Sequence, residues 1–273
     1  MTFTTLLVHL ELGRANTGLL RVAGDLAQRF HAEVIGIAAC QPMRIDLGDT
    51  YVSGEVFEQD REEIKTNIAA AEAEFRGALQ ALGNRLAWRS ATSFEALADY
   101  LAREARAADL VVTTVPASDV VLAARRVDVG DLVMQAGRPV FIVPAAADAL
   151  RLERVVIAWK DSREARRAVL DALPLLQIAG HVVVVEIAAT DGLDEARAHT
   201  DDVVNWLKRH AVVGESLIPG ASGDEAAQLG EIAQRGDVIV AGAYGHSRMR
   251  EWAFGGVTRD LLLRGGHCAL VSH

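Results

Sequence analysis

The stretch Val238-Ile-Val-Ala-Gly242-Ala-Tyr-Gly245-His-Ser-Arg248-Met-Arg-Glu-Trp-Ala-Phe-Gly255-Gly256-Val257-Thr258-Arg-Asp-Leu-Leu262 decides how the rest of the chain is read. An apolar run of strand type stops at Gly242, glycines recur at 245, 255 and 256, and helix-compatible residues resume after Thr258. This is the pattern of a strand, a glycine-punctuated loop and a helix N-terminus. Glycine lets backbone N–H groups approach an anion closely, and the first N–H groups of a helix are unpaired at the positive end of its dipole. A phosphate fits such a place, with simple turn punctuation as the competing reading.

Upstream of this stretch, apolar strand patterns alternate with amphipathic helical ones. In the first half, strands are expected at 3–10, 32–39, 86–91, 109–115 and 139–144, with helices at 16–30, 56–82 and 94–107 and a weaker one before Gly137. The early part of 56–82 is as compatible with loop, because its apolar residues cluster late. Residues 145–150 read as a linker with a domain boundary near Ala147. The second half replays the order, with strands at 154–159, 181–188, 212–218, 237–241 and 268–272 and helices at 162–176, 194–210 and 224–235. Such alternation predicts parallel sheets with crossover helices.

The repeat is visible in residues too. A shift of 128 residues sets Glu104-Ala-Arg-Ala-Ala-Asp109-Leu-Val-Val against Ile232-Ala-Gln-Arg-Gly-Asp237-Val-Ile-Val. A shift of 129 sets Pro139-Val-Phe-Ile-Val-Pro144 against Cys268-Ala-Leu-Val-Ser-His273. The chain reads as a tandem duplication, with units at 1–147 and 151–273. In the first copy Thr114 stands at the place of Gly242, Ala117 at that of Gly245, and Arg126 and Val127 near Gly255 and Gly256. A glycine cradle is not available there, so the anion-binding loop is expected in the second copy.

Bulk properties narrow the function. A formal net charge of −9 argues against binding nucleic acid or an anionic membrane through a basic field. Cys40 and Cys268 form no CxxC or Cys/His cluster and read as reduced packing residues. The N-terminus reads as a first strand, and no apolar stretch is long enough to span a bilayer, so a soluble cytoplasmic protein is the expectation.

Gly242-x2-Gly245-x9-Gly255 at a strand end, with Trp159-Lys-Asp-Ser162-Arg-Glu-Ala165 after the sixth strand, resembles the ATP-binding signature of the universal stress protein family. The resemblance covers the whole chain. It implies an α/β fold of two tandem five-stranded parallel-sheet domains, Rossmann-like and similar to adenine-nucleotide hydrolases, whose last strands pair into an intramolecular pseudo-dimer. It places Gly242 and Gly245 by the ribose and phosphates, and Gly255, Gly256 and Val257 as backbone donors to the phosphates. Ile187 matches a position that packs on adenine. Arg248 is the best side-chain candidate for a phosphate contact, since guanidinium suits phosphate geometry. The ligand implied is ATP, with AMP or ADP as alternatives and Mg accompanying ATP. No nucleic-acid or membrane partner is implied; protein partners and a further homodimer are left open.

Two departures qualify this. Gly256 replaces the family's usual Ser or Thr, removing a hydroxyl whose bond to a phosphate is worth about 1.5–3 kcal/mol; Thr258 is a partial substitute or a helix N-terminal residue. Lys160 stands where the family carries Asp; it is a candidate to supply positive charge to the ligand, but an ammonium cannot accept a hydrogen bond from the adenine amino group. No Walker A, GxGxxG, HExxH or GxSxG motif is present. Asp161 and Asp237 are candidate metal or base residues, but Asp237, like Asp109 in the first copy, begins a strand and reads as structural, leaving no general base assigned and any ATP hydrolysis weak. A protein-interaction scaffold on the same fold is the alternative function.

Overall fold

The computed structural model describes residues 2–43, 54–115, 125–222, 225–243 and 266–273. The first half runs β1 (Thr5–His9), α1 (Thr17–Phe30), β2 (Glu33–Cys40), α2 (Gly54–Ala78), β3 (Leu86–Thr92), α3 (Leu97–Glu104), β4 (Leu110–Thr114), α4 (Val129–Gln135) and β5 (Val140–Val143). The second runs β6 (Arg154–Ala158), α5 (Arg163–Leu176), β7 (His181–Val185), α6 (Leu193–Arg209), β8 (Gly214–Leu217), α7 (Glu225–Ala233), β9 (Val238–Gly242) and β10 (Cys268–Ser272).

The two halves share one sheet, in the order β3-β2-β1-β4-β5-β10-β9-β6-β7-β8. Within each half the pairing is parallel, and the halves meet where β10 runs antiparallel to β5, with Ala269 opposite Ile142 and Leu270 opposite Phe141. The last strands, expected from the resemblance to pair within one chain, therefore meet at the centre of a single ten-stranded sheet. Strands fully buried on both faces read as unbroken apolar runs, and Val140–Val143 and Cys268–Ser272 are buried throughout. One face packs against α1, α2, α5 and α6 through a layer that includes Leu6, Val8, Val112, Phe141, Val240 and Leu270. The opposite face carries α3 and α4 over Leu7, Val111, Val140 and Ile142.

Several boundaries differ from the sequence expectation, each for a local reason. The helix placed at 56–82 begins at Gly54 and ends at Ala78, followed by a short 3-10 segment, Gln80–Arg85. Its first turns are helical but solvated, and Asp60, Ile64, Ala71 and Phe75 alone are buried, so the apolar stripe is too sparse to show early. Asp60 is buried because Arg125 pairs with it and Met43 N–H donates to it at 2.8 Å. The helix placed at 94–107 is shortened to Leu97–Glu104 plus a 3-10 turn. The linker is strapped down: Leu150 N–H donates to Asp25 at 2.9 Å and Arg29 donates to Leu150 O at 3.1 Å, both from α1.

A repeated device fixes the start of the central strands. Asp109 Oδ2 accepts from Thr4 N–H at 2.8 Å, Thr4 Oγ1 at 2.6 Å and Thr5 N–H at 3.0 Å. Its counterpart Asp237 accepts from Arg154 N–H at 2.9 Å. Both aspartates therefore hold the beginning of a neighbouring strand. At the other end of β1, His9 is 5% exposed, and its Nδ1 lies 3.0 Å from Thr113 Oγ1 in a hydrogen bond whose direction the tautomer sets. Burial lowers the His9 pKa to about 4. Both cysteines are buried and free, and burial, reinforced by Asp237, pushes the Cys268 thiol up to about 12.

Candidate functional site

In the second half, β9 and β7 flank β6 on opposite sides, so the connections that follow β6 and β9 part in opposite directions. The carboxyl edge at such a switch point is where open α/β sheets place ligands. Here α5 begins, with Ser162 Oγ accepting from Ala165 N–H at 3.2 Å as its N-cap. The last residue of β9, Gly242, lies directly against that first turn. A Cβ on Gly242 would stand 2.4 Å from Ala165 N and 2.4 Å from the Glu164 carbonyl carbon. Because those atoms are backbone, strand and helix reach this separation only over a glycine.

Lys160 and Ile187 share that edge. Lys160 is exposed in the loop between β6 and α5, beside Asp161, which pairs with Arg166 at 2.6 Å. Ile187 is half-buried in the coil after β7. The structure thus brings Gly242, Lys160 and Ile187 to the ends of three adjacent strands. Gly245, Arg248, Gly255, Gly256, Val257 and Thr258 lie outside the described residues.

Two carboxylates complete the edge. Glu164, 6% exposed in the first turn of α5, contacts Arg163 at 3.1 Å. Burial alone would raise its pKa, but its own N–H, Arg163 and the Ser162 hydroxyl lower it, so an anion already occupies this helix end. Glu186 immediately follows the all-valine end of β7 and was not singled out by sequence; one acidic residue closing an apolar strand was the available signal. It is half-buried, and its Oε2 is buried without a hydrogen-bond partner among the described residues. Burial raises its pKa, His199 and Lys160 oppose that rise, and Asp161 and Glu195 add to it. Among the described residues no three His, Cys, Asp or Glu side chains group as metal ligands.

The corresponding places in the first half are filled. Thr114, at the position of Gly242, donates to Val143 O at 3.0 Å. Asp128 caps α4 by accepting from Asp131 N–H at 2.9 Å, so a carboxylate stands where a phosphate would need the helix end. The buried His9–Thr113 pair continues the β1–β4 register, whereas the matching pair in the second half is Ala158 opposite Ala241. A cleft of about 280 Å³ remains, lined by Glu11, Arg14, Asn16, Gly18, Thr114 and Ala145. Glu74 reaches into this region and accepts from Asn16 N–H at 2.8 Å, adding another internal carboxylate.

No protein-family model and no curated protein matches the sequence. Solved structures do match the fold along nearly its full length. A universal stress protein from Archaeoglobus fulgidus DSM 4304 aligns with a TM-score of 0.72 at 14% identity, covering 98% of this chain and 95% of that one. A protein from Pseudomonas aeruginosa UCBPP-PA14 assigned to the universal stress proteins aligns at 0.66 and 15% identity over 99% of this chain and 93% of that one. A functionally unknown protein from Pseudomonas aeruginosa PAO1 aligns at 0.65 and 15% identity, with 99% and 92% covered. At these identities the likeness establishes a shared fold.

Proposed function

We propose that the chain is a universal-stress-type nucleotide-binding module, built of units 1–147 and 151–273, that holds an adenine nucleotide, ATP foremost, at the carboxyl edge of its second half. The observation that carries this reading is the asymmetry between the halves. One edge has bare backbone at Gly242 followed by the Gly245, Gly255 and Gly256 spacing, and the other has Thr114 and the Asp128 cap. The described residues fit the base end of a nucleotide: an apolar wall at Ile187, a polar acceptor at Glu186 and a cation at Lys160. The phosphates would fall to Gly245, Arg248, Gly255, Gly256, Val257 and Thr258. When ATP binds, it supplies a triphosphate that Mg can share; this chain's part is to orient and retain it.

Isothermal titration of ATP into the full chain tests the reading. One ligand per chain is expected, with binding lost in Gly245→Val. That variant is the informative one, because a side chain at Gly242 would also disturb the contact with α5. No heat at about millimolar ATP, where even a weak site of −4 kcal/mol fills by half, would overturn it. Equal binding by Gly245→Val would do the same.

A further inference from the structure

Glu186 carries a requirement that nothing in its surroundings meets. A buried acceptor left without a donor costs about 1–3 kcal/mol, and such atoms in native proteins ordinarily find a partner in water or ligand. Oε2 of Glu186 has none among the described residues. The charged groups within electrostatic reach come from both sides, Lys160 and Asp161 from the loop after β6 and Glu195 and His199 from α6, and none hydrogen-bonds to it. The backbone holds the residue firmly: its N–H donates to Leu217 O at 3.2 Å on β8, and Trp159 N–H donates to Val185 O at 2.8 Å on the other side. Glu186 thus sets one buried carboxyl oxygen, unpartnered among the described residues, on a held backbone at the carboxyl edge, one residue before Ile187.

We propose that Glu186 reads the base, accepting a hydrogen bond from the exocyclic amine of a 6-aminopurine and rejecting 6-keto purines. This rests on the nucleotide reading above. A keto oxygen at the same place would set acceptor against acceptor, leaving both unpaired in a site of low dielectric. The exposed ammonium of Lys160 has donors alone and cannot perform this selection.

Titration with ATP and with inosine triphosphate, which carries a keto oxygen at position 6, measures the effect. Wild type is expected to bind ATP about tenfold more tightly than inosine triphosphate, the ratio that one hydrogen bond to a carboxyl supplies. In Glu186→Gln the side-chain amide offers both an acceptor and a donor, so the two affinities should converge; in Glu186→Ala, ATP affinity should fall to that of inosine triphosphate. Circular dichroism melts confirm that the near-isosteric Gln variant is folded. Equal binding of both nucleotides by wild type, or an unchanged ratio in Glu186→Gln, overturns the role of Glu186 while leaving the nucleotide site intact. Binding of neither nucleotide to wild type removes the site and this inference together.

Discussion

Acidification should unfold this protein early, and His9 gives the reason. Its imidazole is 5% exposed, its Nδ1 is engaged by Thr113, and burial lowers its pKa from 6.5 to about 4. The unfolded chain takes up a proton near 6.5, whereas the native chain declines it until about 4. The unfolded state therefore holds more protons between these values, and native stability falls as pH drops through that window. The full displacement corresponds to about 3 kcal/mol, and about 2 kcal/mol of it is lost between pH 7 and 5. The perturbation is His9→Gln, which keeps a polar partner for Thr113 and does not titrate. Urea unfolding of both proteins at pH 7, 6 and 5, followed by circular dichroism, supplies the comparison. Subtracting the variant's pH slope cancels the other histidines. A wild-type and variant difference constant within about 0.5 kcal/mol across this range would refute the reasoning, as would a native His9 titration midpoint near 6.5.

Three other outcomes follow from the geometry. Gly242→Ala should lower stability by about 1–3 kcal/mol or more in denaturant melts, since its Cβ would stand 2.4 Å from α5 backbone; an unchanged midpoint would mean that strand and helix separate freely. Asp109→Ala should cost more than Asp237→Ala, because among the described residues Asp109 receives three hydrogen bonds from Thr4 and Thr5 where Asp237 receives one from Arg154, each worth about 1.5–3 kcal/mol; the reverse order in urea melts would contradict the shared role. Cys40 and Cys268 should resist iodoacetamide at pH 8 until denaturant is added, because burial raises both thiols; rapid native alkylation detected by mass spectrometry would show that these sites open.

The alternation of elements and their order within each half were legible because most strands are apolar runs, the outer strands β3 (Leu86–Thr92) and β8 (Gly214–Leu217) excepted, and most helices carry an amphipathic stripe. The start of α5 was legible too, since Ser162 precedes the periodic residues and caps them. The junction between β5 and β10 could not be read from local pattern, because two buried apolar strands of this kind do not encode which neighbour they choose. The reason for Gly242 was equally hidden: it depends on how near α5 comes, a tertiary distance. Glu186 offered a single acidic letter after Val185, and its isolation from any donor emerges from three-dimensional packing. Asp128 was more accessible, because Asp before an apolar helical run is a recognised cap signal.

The antiparallel seam between β5 and β10 has a consequence for heredity. In an assembly of two identical chains, every mutation in a ligand loop is made twice, and both edges must change together. Here the sheet is continuous within one polypeptide, so each edge mutates alone while the other keeps its residues. Thr114 and Asp128 on one side and Gly242 on the other are the kind of divergence that such independence permits.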